Sequence, residues 1–310
     1  MSRKDLVLIE RAAYGGWQGC WRLSNGLVEL VATAEVGPRI IHFGLLGGEN
    51  QLKTWPEQLG KRGGAQWRVY GGHRLWNAPE DNRFSTQPDN EPVGVVIAGQ
   101  SLSLVQPPEK KTGIQKEMEI SLLPGRPAAR VRHRLRNQAA RAQALSAWPL
   151  TVMRPGGRAV LPLPERGPHP RCYQAQAPLV LWPYTDLSDP RLCLTAGHVM
   201  LGTDLKRGAN KLGLATPAGW MAYARAGPLF IKATAFEPQA QYPDFGCTHQ
   251  LFTHSGMLEL ETLSPLVRLA RGQAVEHEEA WWLFAGVPVP KNNADIARHI
   301  LPKVALAKRA

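Results

Sequence analysis

The chain has 310 residues, 44% hydrophobic and 20% charged, a balance that buries a sizeable core and excludes long-range disorder or a collagen-like repeat. No apolar run approaches the ~20 residues that cross a bilayer, and the net charge of +12 attracts anions in general. The four cysteines, Cys20, Cys172, Cys193 and Cys247, lack Cys-x-x-Cys spacing, so neither a disulfide framework nor a structural zinc site is expected.

The N-terminus has a basic start, then only Leu6 to Ile9 as an apolar stretch before Glu10. That is too short for the apolar segment of a secretory leader, so the expectation is a cytoplasmic protein with no membrane partner. Period-2 alternation dominates from there on. Residues 27–33 read as a strand. In residues 114–122, Ile114, Met118, Ile120 and Leu122 share one face with Lys116, and Gln115, Glu117, Glu119 and Ser121 share the other. Residues 130–136 alternate strictly, with Arg130, Arg132, Arg134 and Arg136 opposite Val131, His133 and Leu135. This is an amphipathic strand with a wet side. It lacks interleaved aromatics, so no nucleic-acid partner is expected.

Residues 257–263 and 275–284 continue the alternation, and the 30 glycines and 26 prolines fall between the runs. Residues 53–64 and 77–92 read as long loops, where ligand sites tend to sit. Helical spacing is confined to the tail. There Asn292 or Asn293 is placed to cap Ala294 to Leu301, and Pro302 to stop it. Many short strands with almost no helix predict an all-β sandwich or barrel. The expected organisation is one domain over 1–286 and a tail over 287–310 with a short helix packed on it.

Three constellations offer chemistry. Tyr70-Gly71-Gly72-His73-Arg74-Leu75-Trp76-Asn77-Ala78-Pro79-Glu80 follows a flexible glycine pair with a proton carrier, a cation, a stacking face and a carboxylate. Met257-Leu258-Glu259-Leu260-Glu261-Thr262-Leu263 puts two carboxylates on one strand face with Cα atoms ~7 Å apart. Neighbouring carboxylates repel, which raises one pKa into the range useful for acid–base work. Residues 242–253 read as a turn feeding a strand, in which Thr248, Gln250 and Phe252 share a face whose hydroxyl, amide and ring suit a polyol. The indoles at Trp148, Trp182, Trp220, Trp281 and Trp282 are expected mostly in the core, although sugars stack on such rings. No phosphate loop, nucleophile elbow or His-Glu-x-x-His motif is present, and no cofactor or metal is expected.

At Gly71-Gly72-His73-Arg74-Leu75-Trp76, Tyr242-Pro243-Asp244-Phe245-Gly246, Leu260-Glu261-Thr262-Leu263-Ser264-Pro265-Leu266 and the strand from Glu276-His277 to Trp282-Leu283-Phe284, the sequence resembles the galactose mutarotase-like (aldose 1-epimerase-like) superfamily, and a bacterial family within it. The resemblance runs over about residues 19–284. It implies an antiparallel β-supersandwich with a saccharide cleft on a concave face. It also implies Glu261 as the base toward the anomeric hydroxyl and His73 as the acid toward the ring oxygen. The stretch 146–157 carries no second histidine. Arg39, Arg74 and Lys232 are the cations expected to hold an anionic substituent, and Trp76, Asp244, Gln250 and Glu259 complete the expected binding set. The expected function is saccharide binding with mutarotase-like chemistry on a sugar or sugar phosphate. The alternatives are a non-catalytic saccharide binder and a glycoside hydrolase using Glu259 and Glu261.

Overall fold

A computed structural model describes residues 6–308. Met1 to Asp5, which carry the basic start of the leader reading, lie outside the described residues. Two antiparallel sheets face each other. The first has eleven strands. Across it run β1 (Leu8–Tyr14), β2 (Trp17–Ser24), β3 (Val28–Thr33), β4 (Arg39–Leu45), β5 (His73–Ala78), β10 (Gln143–Met153), β19 (Met257–Thr262), β18 (His249–His254), β15 (Asn210–Leu214) and β12 (Leu179–Leu181), with β20 (Val267–Leu269) paired to the start of β10. The second runs β13 (Leu192–Leu194), β14 (His198–Gly202), β11 (Gly157–Pro162), β16 (Trp220–Arg225), β17 (Gly227–Thr234), β21 (Ala274–Val287), β9 (Ala128–Asn137), β8 (Ile114–Leu122), β7 (Ser101–Val105) and β6 (Gly94–Ala98).

The principal core lies between the sheets. Leu23, Leu30, Phe43, Leu251, Leu258 and Leu260 of the first sheet meet Met118, Ile120, Val131, Phe230, Trp281 and Leu283 of the second. Alternation fixes which side chains enter it. In β8 the alternation of buried and half-buried residues follows the sequence expectation, and Lys116 is tolerated on the inner face because Glu109 meets its ammonium at 2.6 Å. The arginines of β9 stand on the outer face between two rows of carboxylates. Glu117 and Glu119 come from β8, and Glu276 and Glu278 from β21. The Arg134–Glu276 and Arg134–Glu117 bridges are 2.6 and 2.7 Å, so the largest basic run in the sequence is locally neutralised.

The outer face of the second sheet is apolar near Val160, Met200, Trp220 and Trp282, and the tail covers it with Ile296, Ile300 and Val304. Asn292 caps this segment by accepting from the Asp295 amide. The helix does not end at Pro302 as the sequence led us to expect. Ile296–Ile300 is wound as a π turn, and an α-helix over Leu301–Lys308 follows it with Pro302 as its second residue. Proline is compatible with the first turn of the helix that follows.

Candidate functional site

The site is set by register. Gly71 and Gly72 have φ of +91° and +74°, and a Cβ on either would stand 2.1 Å from a backbone oxygen, Lys53 O or Ile40 O. The glycine pair therefore serves a close backbone crossing that no other residue permits. β5 starts directly after it, so His73 and Arg74 point to opposite faces of the first sheet.

On the outer face, one row of cross-strand neighbours reads Arg74, Leu150, Glu261, Gln250 and Gly213. A second reads Val152, Glu259, Phe252 and Lys211. Trp76 lies opposite Trp148 in a third. At Gly213 a Cβ would meet Trp182 Cη2 at 3.2 Å, so its bare backbone makes room for that indole. Trp76, Trp148, Leu150 and Val180 form the apolar floor, with Trp182 against it.

Glu261 is fully buried. Its Oε2 accepts from Trp148 Nε1 at 2.7 Å and from Lys211 Nζ at 2.9 Å, while Oε1 has no donor. The Lys211 ammonium sits 4.8 and 4.7 Å from the rings of Trp148 and Trp182. Burial works against its charge, but Glu261 outweighs burial and holds its pKa above the ordinary lysine value. Glu259 faces Arg74 Nη2 at 3.5 Å with its own Oε1 undonated. Burial pushes Glu259 up to about 7; Arg74 opposes this and the neighbouring Glu261 adds to it. The Arg74 guanidinium lies 4.0 Å over Trp76 and 5.2 Å from Trp67, and its Nε and Nη1 are buried without acceptors. Gln250 donates to Asp244 Oδ2 at 2.6 Å and keeps a bare Oε1. Asp244 and Phe245 are held at φ +50° and +58°, and Phe245 projects 87% exposed at the rim. Exposed Glu80 adds a carboxylate within electrostatic reach of Lys211 and Glu261.

Seven of the residues singled out in the sequence thus fall on the first sheet's outer side: Glu261, Glu259, Arg74, Trp76, Gln250 and Asp244 are brought together, and Arg39 stands beside Arg74. Arg39 is committed elsewhere. It bonds the carbonyls of Val69 and Gly71 and pairs with Asp89, so it braces the loop before β5. His73 and Lys232 are not in the site. His73 faces the inter-sheet core against Thr151 and His133. Lys232 pairs there with Glu279 at 2.9 Å and donates to the Leu260 carbonyl. The expected meeting of Glu261 with His73 fails on strand parity. Sequence reasoning missed Lys211, although a lone lysine in the apolar run Lys211-Leu212-Gly213-Leu214 is a signal of a paired buried charge. Among the described residues no helix is long and apolar enough to cross a membrane.

No protein-family model and no curated protein matches the chain. Solved structures do. A protein provisionally assigned as an aldose 1-epimerase from Escherichia coli K12 aligns over 90% of this chain and 100% of its own, at 13% identity and a TM-score of 0.58. A galactose mutarotase-like protein from Clostridium acetobutylicum aligns over 90% and 99%, at 10% identity and a TM-score of 0.55. A TPR-domain containing protein from Parabacteroides distasonis aligns over 85% of this chain at 14% identity and a TM-score of 0.56, and there the chain spans only 46% of the longer partner.

Proposed function

We propose, from a galactose mutarotase-like fold that carries this charged and indole-rich face, that the chain binds a saccharide on the outer side of its first sheet and opens and recloses the sugar ring. The carrying observation is the bare, buried Oε1 of Glu261, beside a second carboxyl that is half protonated near neutrality. Trp148 and Lys211 pin Oε2, so Oε1 is the atom free to act as base. It takes the proton of the anomeric hydroxyl. Glu259, in its acid form, gives a proton to the ring oxygen. The C1–O bond to the ring breaks, an open-chain aldehyde forms, C1 rotates, and the ring recloses with both protons returned. A carboxyl that burial raises to about 7 is suited to the acid role at neutral pH.

The undonated Gln250 Oε1 and the free N–H groups of Arg74 suit sugar hydroxyls, and the indoles suit a sugar face. Arg74 and Lys211 are matched by Glu259, Glu261, Asp244 and Glu80, and Arg39 and Lys232 are engaged elsewhere. We therefore favour a neutral aldose over a sugar phosphate. The absence of His73 from this face favours, as the second reading, a saccharide binder without turnover. Polarimetry on freshly dissolved aldoses separates the two. Accelerated anomer equilibration that falls about 10²–10⁴-fold in Glu261→Gln supports the enzyme. Saturable binding with no acceleration supports the binder, and neither outcome with any aldose rejects both.

A further inference from the structure

Behind the strand that carries Glu259 and Glu261, the inter-sheet core holds an unusual polar set. His73, His133, Lys232 and Glu279 are all 0% exposed, and His277 is 6% exposed. Each of the first two imidazoles has its Nδ1 fixed by an oxygen: Thr151 Oγ1 at 2.8 Å for His73, and the His277 carbonyl at 3.0 Å for His133. Both Nε2 atoms are thereby turned toward one point, 2.7 Å apart. Glu279 Oε2 stands 3.9 Å from His73 Nε2, and one ligand atom from each of the three residues falls within a 4.8 Å cluster.

We propose that His73, His133 and Glu279 form a binding site for a divalent transition-metal ion of the zinc class, which ties the first sheet to the second. Two imidazoles and a carboxylate are a familiar donor set for such ions. Ligand atoms held ~2.0–2.1 Å from a tetrahedral zinc stand about 3.3 Å from one another. The separations of 2.7 and 3.9 Å bracket that value, and the third pair, His133 and Glu279, which lies within 4.8 Å, would draw together by about 1 Å on binding. The outer contacts are already in place. Oxygen partners on both Nδ1 atoms fix the ring orientations and leave Nε2 to ligate. Glu279 Oε2 accepts from Trp281 Nε1 at 2.8 Å and keeps a lone pair, while Oε1 is taken by Lys232 and Thr262. Lys232 is the one charge that opposes the ion among these contacts.

The metal-free alternative has a different proton arrangement. A carbonyl only accepts, so His133 carries its proton on Nδ1 in either case. Without an ion, His73 must then donate from Nε2 to His133. With an ion, His73 is protonated on Nδ1 and donates to Thr151. The site lies on the opposite face from the saccharide reading and does not depend on it.

The test uses the full chain, stripped with a chelator and dialysed against zinc chloride. The expected result is one zinc per chain by elemental analysis, a melting temperature raised by zinc and lowered again by chelator, and a visible d–d band when cobalt(II) replaces zinc. His133→Gln should bind zinc about 100-fold or more weakly while its circular dichroism is unchanged. Should that variant fail to fold, Lys232→Met decides, since removing the opposing charge should tighten zinc binding and let zinc restore the melting temperature. Wild-type protein holding less than about a tenth of an equivalent, with a melting temperature indifferent to zinc, overturns the proposal. So does a ¹⁵N spectrum of the zinc-treated protein with His73 protonated on Nε2.

Discussion

Lys211→Met removes the ammonium that stands 2.9 Å from Glu261 Oε2 between two indoles, and replaces it with an apolar chain of similar length. Both side chains of the pair are at most 4% exposed, so water cannot substitute for the lost partner. At an effective dielectric of 20, a pair at that distance attracts by about 6 kcal/mol before desolvation is counted. The net cost of leaving one buried partner behind is smaller, about 3–5 kcal/mol. Trp148 Nε1 still donates to the carboxylate, which places the expectation at the lower end of that range. Urea unfolding at neutral pH measures it as a shift in midpoint at constant slope. The double variant Lys211→Met with Glu261→Gln should recover most of the loss, because no buried charge is then orphaned. A single variant that loses less than about 1 kcal/mol, or a double variant no better than the single, would refute the view that Glu261 is a buried anion held by this lysine.

If Glu259 supplies the proton, the rate of anomer equilibration should fall as pH rises through about 7, since only the acid form donates. Glu259→Gln should remove that limb of the pH profile, and a limb that persists in the variant assigns the proton to another group. Gly72→Ala, at φ +74° with its Cβ 2.1 Å from Ile40 O, should cost about 3 kcal/mol or more, against about 1 kcal/mol for Gly47→Ala at φ +68° with open space around it. Thermal melts of the two variants side by side check the difference. Burial pushes the His249 imidazole down to about 3, so its contribution to stability is full above the unfolded value near 6.5 and is lost as pH falls from there toward 3. The stability difference between wild type and His249→Gln should therefore shrink by about 1.4 kcal/mol per pH unit over that window. A difference that does not vary with pH would show that the folded ring takes up its proton as readily as the unfolded one, and would refute the burial argument.

The strands were legible because a half-buried strand must alternate. β8 and β9 display their wet and dry faces in the sequence itself, and so does the Glu259/Glu261 pair of β19. The site was legible only where the side chains sit on one strand face. The parity that separates His73 from Arg74 was hidden because the strand starts directly after the glycine pair, with no alternation before it to show the register. Lys232 was misplaced for another reason. Its strand is apolar on both sides, with Phe230 in the inter-sheet core and Leu229 and Ile231 under the tail, so alternation carries no polarity signal there. The lysine shares the core-facing side with Phe230, and the partner that neutralises it there, Glu279, is far away in the chain. Pro302 misled because proline stops a helix in general but is accepted in a first turn.

β5 is six residues long, and every one of them is buried. Arg74 and Trp76 serve one side of the sheet, His73 serves the other, and the glycines before it are locked against neighbouring backbone. Such a segment has no idle position. Deleting a single residue from it would exchange the guanidinium and the imidazole between two environments, each built for the other's opposite. Whatever variation this protein tolerates elsewhere, length change here should be among the least forgiven.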